Sequence, residues 1–328
     1  MAKTIITAAL TGAITPAGYK IPETPDQIAE DAYKCWKAGA SIVHLHMRDE
    51  NSAGTMNPIK FFRTIKALRA HEDCDVIINC TSSGDNRVQD DSPYGNAYRM
   101  LHHKYVPGIE IATFDAGTMN WADAGVFHNS PAFLKASGEL FKERGIKPEI
   151  EIFDAGMLRA CKQYYQPKGF LTMPMHFQLC MGVLGGMNAT PQDLQYLIND
   201  VPEGCTWSAF GIGKGHMPVM FVALANGGHL RVGMEDNIIY GVDKDGKKIM
   251  ATNVMLVERA ANAVKAFGNE VATPAEARQI LSIKPLDHKA VLKALGEISE
   301  KFLEEKKAEL NSLVRYQGAT EEGSGGKK

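Results

Sequence analysis

No stretch of the 328-residue chain approaches the roughly 20 consecutive apolar residues that a membrane helix needs, so no helical membrane span is expected. Positive charge is not in excess: 36 lysines and arginines face 38 acids, a net charge of −2. That argues against nonspecific nucleic-acid binding, which needs a basic surface. The six cysteines, Cys35, Cys74, Cys80, Cys161, Cys180 and Cys205, contain no CxxC pair. They read as free thiols in a reducing, cytoplasmic setting, and none has a recognisable nucleophile environment. The glycine-rich stretches Gly182–Gly186 and Gly211–Gly213 match neither a phosphate loop nor a dinucleotide fingerprint. The first residues, MAKTIITAAL, place one lysine before a short apolar run and lack a small-residue cleavage site, so they read as a first strand rather than a signal peptide.

What the chain does contain is enough apolar material for a sizeable core, 45% of residues, with 23% charged, a globular balance. It also has a β/α rhythm. Eight β-rich runs stand at 4–10, 41–46, 75–80, 109–114, 149–153, 170–178, 205–211 and 229–233. Several are continuously apolar, as strands covered on both faces are. Helical stretches fall at about 25–38, 58–70, 93–104, 130–144, 155–166, 191–199, 216–226 and 252–267. Three helix starts repeat one chemistry. Thr24-Pro25, Thr190-Pro191 and Thr273-Pro274 each combine an N-cap threonine with proline at the first helical position, and Gln27 and Glu276 complete capping boxes in the first and third. Gly39 and Gly268 are natural helix stops. Ile28, Ala32, Cys35 and Trp36 line one face of the first helix.

Eight such alternations predict a closed (β/α)8 TIM barrel, with an open parallel sheet as the alternative. The expected organisation is a catalytic barrel over residues 1–284, a C-terminal helical extension over 285–315 and a disordered tail over 316–328. In the extension, Leu292, Leu295, Ile298, Phe302 and Leu303 form an apolar side that packs on the barrel or on a neighbouring subunit.

Polar residues crowd the strand ends. His44 and His46 close the second run, and residues i and i+2 share a strand face, here at the end where barrels carry active sites. Two imidazoles, one carboxylate and an open position make the pattern of a catalytic zinc site, though such a pair also suits ordinary polar residues near a strand end. Glu235 and Asp236 leave the eighth run together; their other reading is acids at a helix start. Arg231 lies inside that run and needs a buried partner. It serves either a structural ion pair or an Arg–Asp dyad that orients Asp236 as general base. A neighbouring cation lowers a carboxylate's pKa, so burial must offset Arg231 for Asp236 to gain base strength. Thr81-Ser82-Ser83-Gly84, Thr113-Phe114-Asp115, Glu149, Glu151 and Gly211–Lys214 stand at other strand ends, where hydroxyls and backbone amides can bind a carboxylate or oxyanion. His176 is as readily a core histidine as a ligand.

Several stretches match one family together: TAALTGA at 7–13, AGASIVHLHMRD at 38–49, ATFDAGTMNW at 112–121, PEIEIFDAGM at 148–157, GIGKGHMP at 211–218 and GGHLRVGMEDN at 227–237. With ATNVMLVERA at 251–260 and ATPAEARQIL at 272–281, the chain resembles the β-keto acid cleavage enzymes over about residues 3–283. The resemblance implies a (β/α)8 barrel, usually tetrameric, with one Zn2+ per site held by His44, His46 and Glu235. It implies substrate activation by Arg231 and Asp236, substrate contacts from Thr81, Ser82 and Thr113, and a further barrel glutamate at Glu151. The implied reaction takes a β-keto acid and acetyl-CoA to acetoacetate and a new acyl-CoA. In the family's founding member a first-loop glutamate recognises a substrate amino group. Ile14 stands at that position here, and an apolar side chain cannot pair with an ammonium. Asp115 stands where that member has an amide; its charge suits either a cationic, dehydrocarnitine-like tail or a structural hydrogen-bond acceptor. An apolar or short-chain β-keto acid therefore competes with a cationic one.

Two other readings remain at this level. A metal-dependent barrel hydrolase or aldolase would use the same zinc site without acetyl-CoA. A non-catalytic binding or scaffold barrel is opposed by the joint presence of His44, His46, Arg231, Glu235 and Asp236. Sites of two histidines and a glutamate also accept cobalt, manganese or nickel. The expected setting is a cytoplasmic homo-oligomer, a tetramer, with small-molecule partners and neither nucleic acid nor membrane.

Overall fold

A computed structural model describes residues 1–14, 18–121 and 125–315; the tail expected at 316–328 lies outside the described residues. Eight parallel strands pair in chain order: β1 (Ile6–Ala9), β2 (Ile42–Leu45), β3 (Ile77–Cys80), β4 (Ile111–Asp115), β5 (Lys147–Ile152), β6 (His176–Met181), β7 (Thr206–Gly211) and β8 (His229–Val232). The last returns to the first, with Leu230 opposite Ile6 and Arg231 opposite Thr7. That pairing closes the sheet and decides for the barrel over the open sheet.

The helices of the barrel are α1 (Pro25–Ala38), α2 (Pro58–Arg69), α3 (Pro93–Arg99), α4 (Leu101–Tyr105), α5 (Pro131–Arg144), α6 (Ala155–Ala160), α7 (Pro191–Ile198), α8 (His216–Ala225), α9 (Asn253–Ala266) and α10 (Pro274–Ile280). Their starts follow from local chemistry. Thr24 accepts from the Gln27 amide and the Gln27 side chain answers at the cap, and Thr273 and Glu276 do the same. Thr190 accepts from the Asp193 amide. Each such cap contributes about 1 kcal/mol. Gly39 ends α1 at φ 117, a conformation that penalises any Cβ.

Apolar packing closes one end of the barrel and leaves the other for chemistry. Ile42, Ile77 and Ile111, at the starts of their strands, pack with Ile5, with Ala277 of α10 and with Leu281 just beyond it. Each such side chain contributes roughly 2 kcal/mol through burial. Two further helices, α11 (His288–Glu297) and α12 (Glu300–Glu309), lie against α2 and α4. Leu295 and Leu303 are buried there, Phe302 meets Tyr105 edge-on at 5.6 Å, and Glu300 pairs with Arg63.

Some boundaries differ from the sequence expectation, each for a physical reason. The run read from residue 170 becomes a strand only at His176, because Pro174 has no N–H for the ladder. The stretch 93–104 divides at Met100, where φ −103 and ψ −3 depart from the helix. The stretch 155–166 continues past α6 as a wider π turn over Cys161–Tyr165. Short hairpins pair Met47–Arg48 with Gly54–Thr55, Met119–Asn120 with Val126–Phe127, and Ile239–Val242 with Lys248–Met250. Strands of two to four residues carry no readable periodicity.

His176 is a core histidine: its Nδ1 lies 2.9 Å from Thr206 Oγ1. Burial pushes the imidazoles of His103 and His176 down from 6.5 to about 3, and that of His229 to about 4. The unfolded chain protonates them near 6.5, so the stability they permit is complete above that pH. It is lost as the pH falls toward the folded values, by at most about 1.4 kcal/mol per pH unit for each ring. The urea midpoint of metal-free protein is therefore expected to fall steadily between about pH 7 and 4.5; a flat midpoint would show that the fold accommodates these rings charged.

Candidate active site

The rim at the strand C-termini brings His44, His46 and Glu235 together. The Nε2 atoms of His44 and His46 lie 3.5 and 3.6 Å from Glu235 Oε1, and one donor atom from each of the three falls within 4.8 Å of the others. Tetrahedral zinc, with bonds of about 2.0–2.1 Å, sets its donors about 3.3 Å apart. The triangle is therefore the right size for such an ion. Burial pushes His44 down to about 3 and His46 to about 4, against the pull of Glu235. Both rings are thus neutral and have a lone pair to give. Burial raises Glu235, and the Arg231 guanidinium, which donates to it at 2.6 Å, pulls the carboxyl down. Among the described residues, the Nδ1 atoms of both histidines and Oε2 of Glu235 are buried without a hydrogen-bond partner. Two neutral imidazoles facing a carboxylate fit a divalent cation.

Two glycines make room for this triangle. A Cβ at Gly12 would stand 2.7 Å from Glu235 Cγ, and one at Gly84 2.7 Å from His46 Nδ1; their φ values are 68 and 134. Both the approach and the backbone conformation exclude larger residues.

Beside the triangle, Arg231 contacts three carboxylates. It donates through Nε and Nη2 to the two oxygens of Asp236, both at 3.1 Å. Nη1 donates to Glu151 at 2.9 Å, and Nη2 to Glu235 Oε1 at 2.6 Å. Its guanidinium carbon lies 4.6 Å from the centre of the Phe210 ring. Arg231 thus has the buried partners that its place in the strand requires. Burial lifts Asp236 from 3.8 to about 6 while Arg231 restrains the rise. Burial also pushes Glu151 well up, against Arg231, and Glu151 shares a hydrogen bond with Asp115.

Ile14, Thr81, Thr113, Asp115 and Glu151 line one cavity with His44, His46, Arg231, Glu235 and Asp236. Ser82 is not among the residues that line it. Thr81 and Ser83 face the cavity, and the residue between them turns into the wall. There the Ser82 amide donates to Thr113 Oγ1 at 2.8 Å, and its hydroxyl accepts from Thr113 at 3.2 Å. Glu149 lies outside the cavity lining as well, accepting from Asn79 at 2.7 Å. Sequence reasoning missed Gln89, a buried cavity residue whose Nε2 has no hydrogen-bond partner among the described residues. It missed the wall formed by Met119, Trp121, Phe127, Phe153 and Val183. These sit in loops and short pairs, where no periodicity points inward.

Residues 3–283 match a family model described as beta-keto acid cleavage enzyme. The chain belongs to the β-keto acid cleavage enzymes. This family member is 40% identical over 288 residues to a 3-keto-5-aminohexanoate cleavage enzyme of Fusobacterium nucleatum, across 87% of this chain and 99% of the relative. It is 35% identical over 295 residues to a 3-dehydrocarnitine:acetyl-CoA trimethylamine transferase of Rhizobium meliloti, across 85% and 96% of the two chains. In fold it is similar to apo ObcA, with a TM-score of 0.68 at 20% identity; the match covers 80% of this chain and 65% of ObcA. The motif pair HLH and GMEDN, the ends of β2 and β8, thus belongs to a β-keto acid cleavage enzyme.

Zinc added to chelator-stripped protein is expected to raise its Tm. His44→Ala, His46→Ala and Glu235→Ala should each weaken zinc binding by about 100-fold or more. Wild-type affinity in any of the three, read by competition with a chromophoric chelator, removes that residue from the ligand set.

Proposed function

We propose that this β-keto acid cleavage enzyme condenses a β-keto acid with acetyl-CoA, giving acetoacetate and a new acyl-CoA, with zinc held by His44, His46 and Glu235. The observation that carries this reading is the buried Arg231–Asp236 pair set beside the histidine–glutamate triangle in one cavity.

Asp236 is the base for the substrate's C2 proton. It is ionised at neutral pH, yet burial gives it a stronger hold on a proton than an exposed aspartate has. Arg231 grips both of its oxygens and fixes the direction in which it reaches. Zinc, when bound, supplies Lewis acidity toward the substrate's keto oxygen, which lowers the cost of removing that proton. The C2 carbanion attacks the acetyl carbon and CoA thiolate leaves. The thiolate then adds to the original keto carbon, and the bond from that carbon to C2 breaks. Acetoacetate departs after C2 takes back the proton from Asp236, and the tail leaves as the new acyl-CoA. For the substrate carboxylate, Gln89 offers an amide N–H that has no partner among the described residues.

The tail favoured by the cavity is uncharged. Ile14, Met119, Trp121, Phe127, Phe153 and Val183 give it an apolar wall, and Asp115 is already engaged by Glu151 and Ser82. A cationic tail is the second reading. The Rhizobium relative is named for a trimethylamine group, and aromatic walls hold quaternary ammonium well. Residues 1–284 serve as the catalytic unit and 285–315 as a cap on it, within a cytoplasmic homotetramer. This assembly and setting are supported by the family resemblance and the unpaired cysteines. No helix among the described residues is long and apolar enough to cross a membrane.

The deciding assay is acetyl-CoA-dependent acetoacetate formation from β-keto acids with uncharged, anionic and cationic tails, using zinc-loaded and stripped protein. Metal-dependent turnover with the uncharged tail preferred is expected. Silence across the panel from zinc-loaded protein sinks the reaction and leaves a metal-dependent hydrolase or aldolase as the better reading. In the active assay, Asp236→Asn should lower kcat by about 10²–10⁴ with zinc retained. Gln89→Leu should raise the β-keto acid KM about tenfold; unchanged kinetics in either variant removes that residue from its role.

A further inference from the structure

Three side chains of one helical stretch hold three consecutive carbonyls at the cavity rim. His103 Nε2 lies 3.2 Å from Cys80 O, and His102 Nε2 lies 2.9 Å from Thr81 O. Arg99 Nε donates to Ser82 O at 2.9 Å. All three side chains are fully buried. Burial holds both imidazoles neutral, so each ring donates to its carbonyl through a single N–H.

Arg99 reaches further than the histidines. Its Nη1 donates to His128 O at 2.8 Å and its Nη2 to Asn129 Oδ1 at 2.6 Å, while its guanidinium lies 3.7 Å from the centre of the Phe133 ring. Asn129 passes the connection on, donating through its side chain to Gly117 O at 3.3 Å and through its amide to Thr118 Oγ1 at 2.9 Å. One fork therefore ties the loop after β3, which presents Thr81 to the cavity, to the loop after β4, which presents Trp121 and Phe127. The oxygens that accept from Arg99 among the described residues are all neutral. A lysine's single ammonium cannot span three separated acceptors in one plane. A buried fork whose bonds among the described residues all go to two cavity loops is placed to set their relative position.

The geometry points to Arg99 as a positioning residue that registers the loop after β3 against the loop after β4, and so holds the part of the cavity that meets the substrate's reacting end against the part that meets its tail. The assignment of those two parts rests on the β-keto acid reading above.

The test uses zinc-loaded, full-length Arg99→Lys and Asn129→Ala, with steady-state kinetics and amide hydrogen exchange. Arg99→Lys should raise the β-keto acid KM about tenfold or more, with kcat much less affected. Exchange in residues 82–85 and 126–130 should rise together, while β1 and β8 stay protected. Asn129→Ala, which cuts one arm of the fork, should give the same pattern more weakly, and it carries the test if Arg99→Lys does not fold. Variants that lose only Tm, with KM and loop exchange at wild-type values, overturn the proposal. So does opening of one loop without the other. If wild-type protein turns over no β-keto acid, the reaction reading fails on its own, and coupled or uncoupled loop exchange still decides the role of Arg99.

Discussion

A single guanidinium at the mouth of the barrel holds the site together. Removing a cation and its acidic partners from water costs several kcal/mol per ion, and only close, well-directed hydrogen bonds offset it. Arg231 meets that condition by using its whole fork: two bonds to Asp236, one to Glu151 and one to Glu235. Burial pushes Glu151 well up while Arg231 holds it back.

The same burial acts in opposite directions on neighbouring groups. It drives His44 and His46 toward the neutral form, which a metal ligand requires, and it raises Asp236, which a base requires. Glu235 and Asp236 are adjacent in the chain, yet they diverge. Glu235 is drawn low, with Arg231 donating to it at 2.6 Å, whereas burial outweighs Arg231 at Asp236, which ends up high. Two carboxylates with separated affinities for a proton can take separate tasks.

The barrel and most of this rim were legible in the sequence because both rest on short-range rules. A strand's period of two puts His44 and His46 on one face, and threonine–proline caps announce three helices. Closure was not legible, since it depends on Leu230 meeting Ile6 across the whole chain. Neither was the inward turn of Gln89, nor the outward turn of Ser82. In irregular loops the facing of a side chain is set by tertiary bonds such as those from Arg99, and residue spacing does not encode them.

This division also bears on how one family can serve different tails. The Arg231–Asp236 pair and the histidine–glutamate triangle sit on strand ends, where the closed hydrogen-bond ladder allows little displacement. The wall around the tail comes from loops, which tolerate change without disturbing that ladder. A loop free to change is also free to drift, and a wall that drifts against the rim weakens the hold on the substrate. Diversity at the wall therefore demands a rigid link between wall and rim, built from residues that touch neither metal nor substrate. A buried planar fork bonded to backbone carbonyls meets that demand, because its acceptors persist whatever side chains the loops carry. Arg99, which bonds Ser82 O and His128 O at once, has that form.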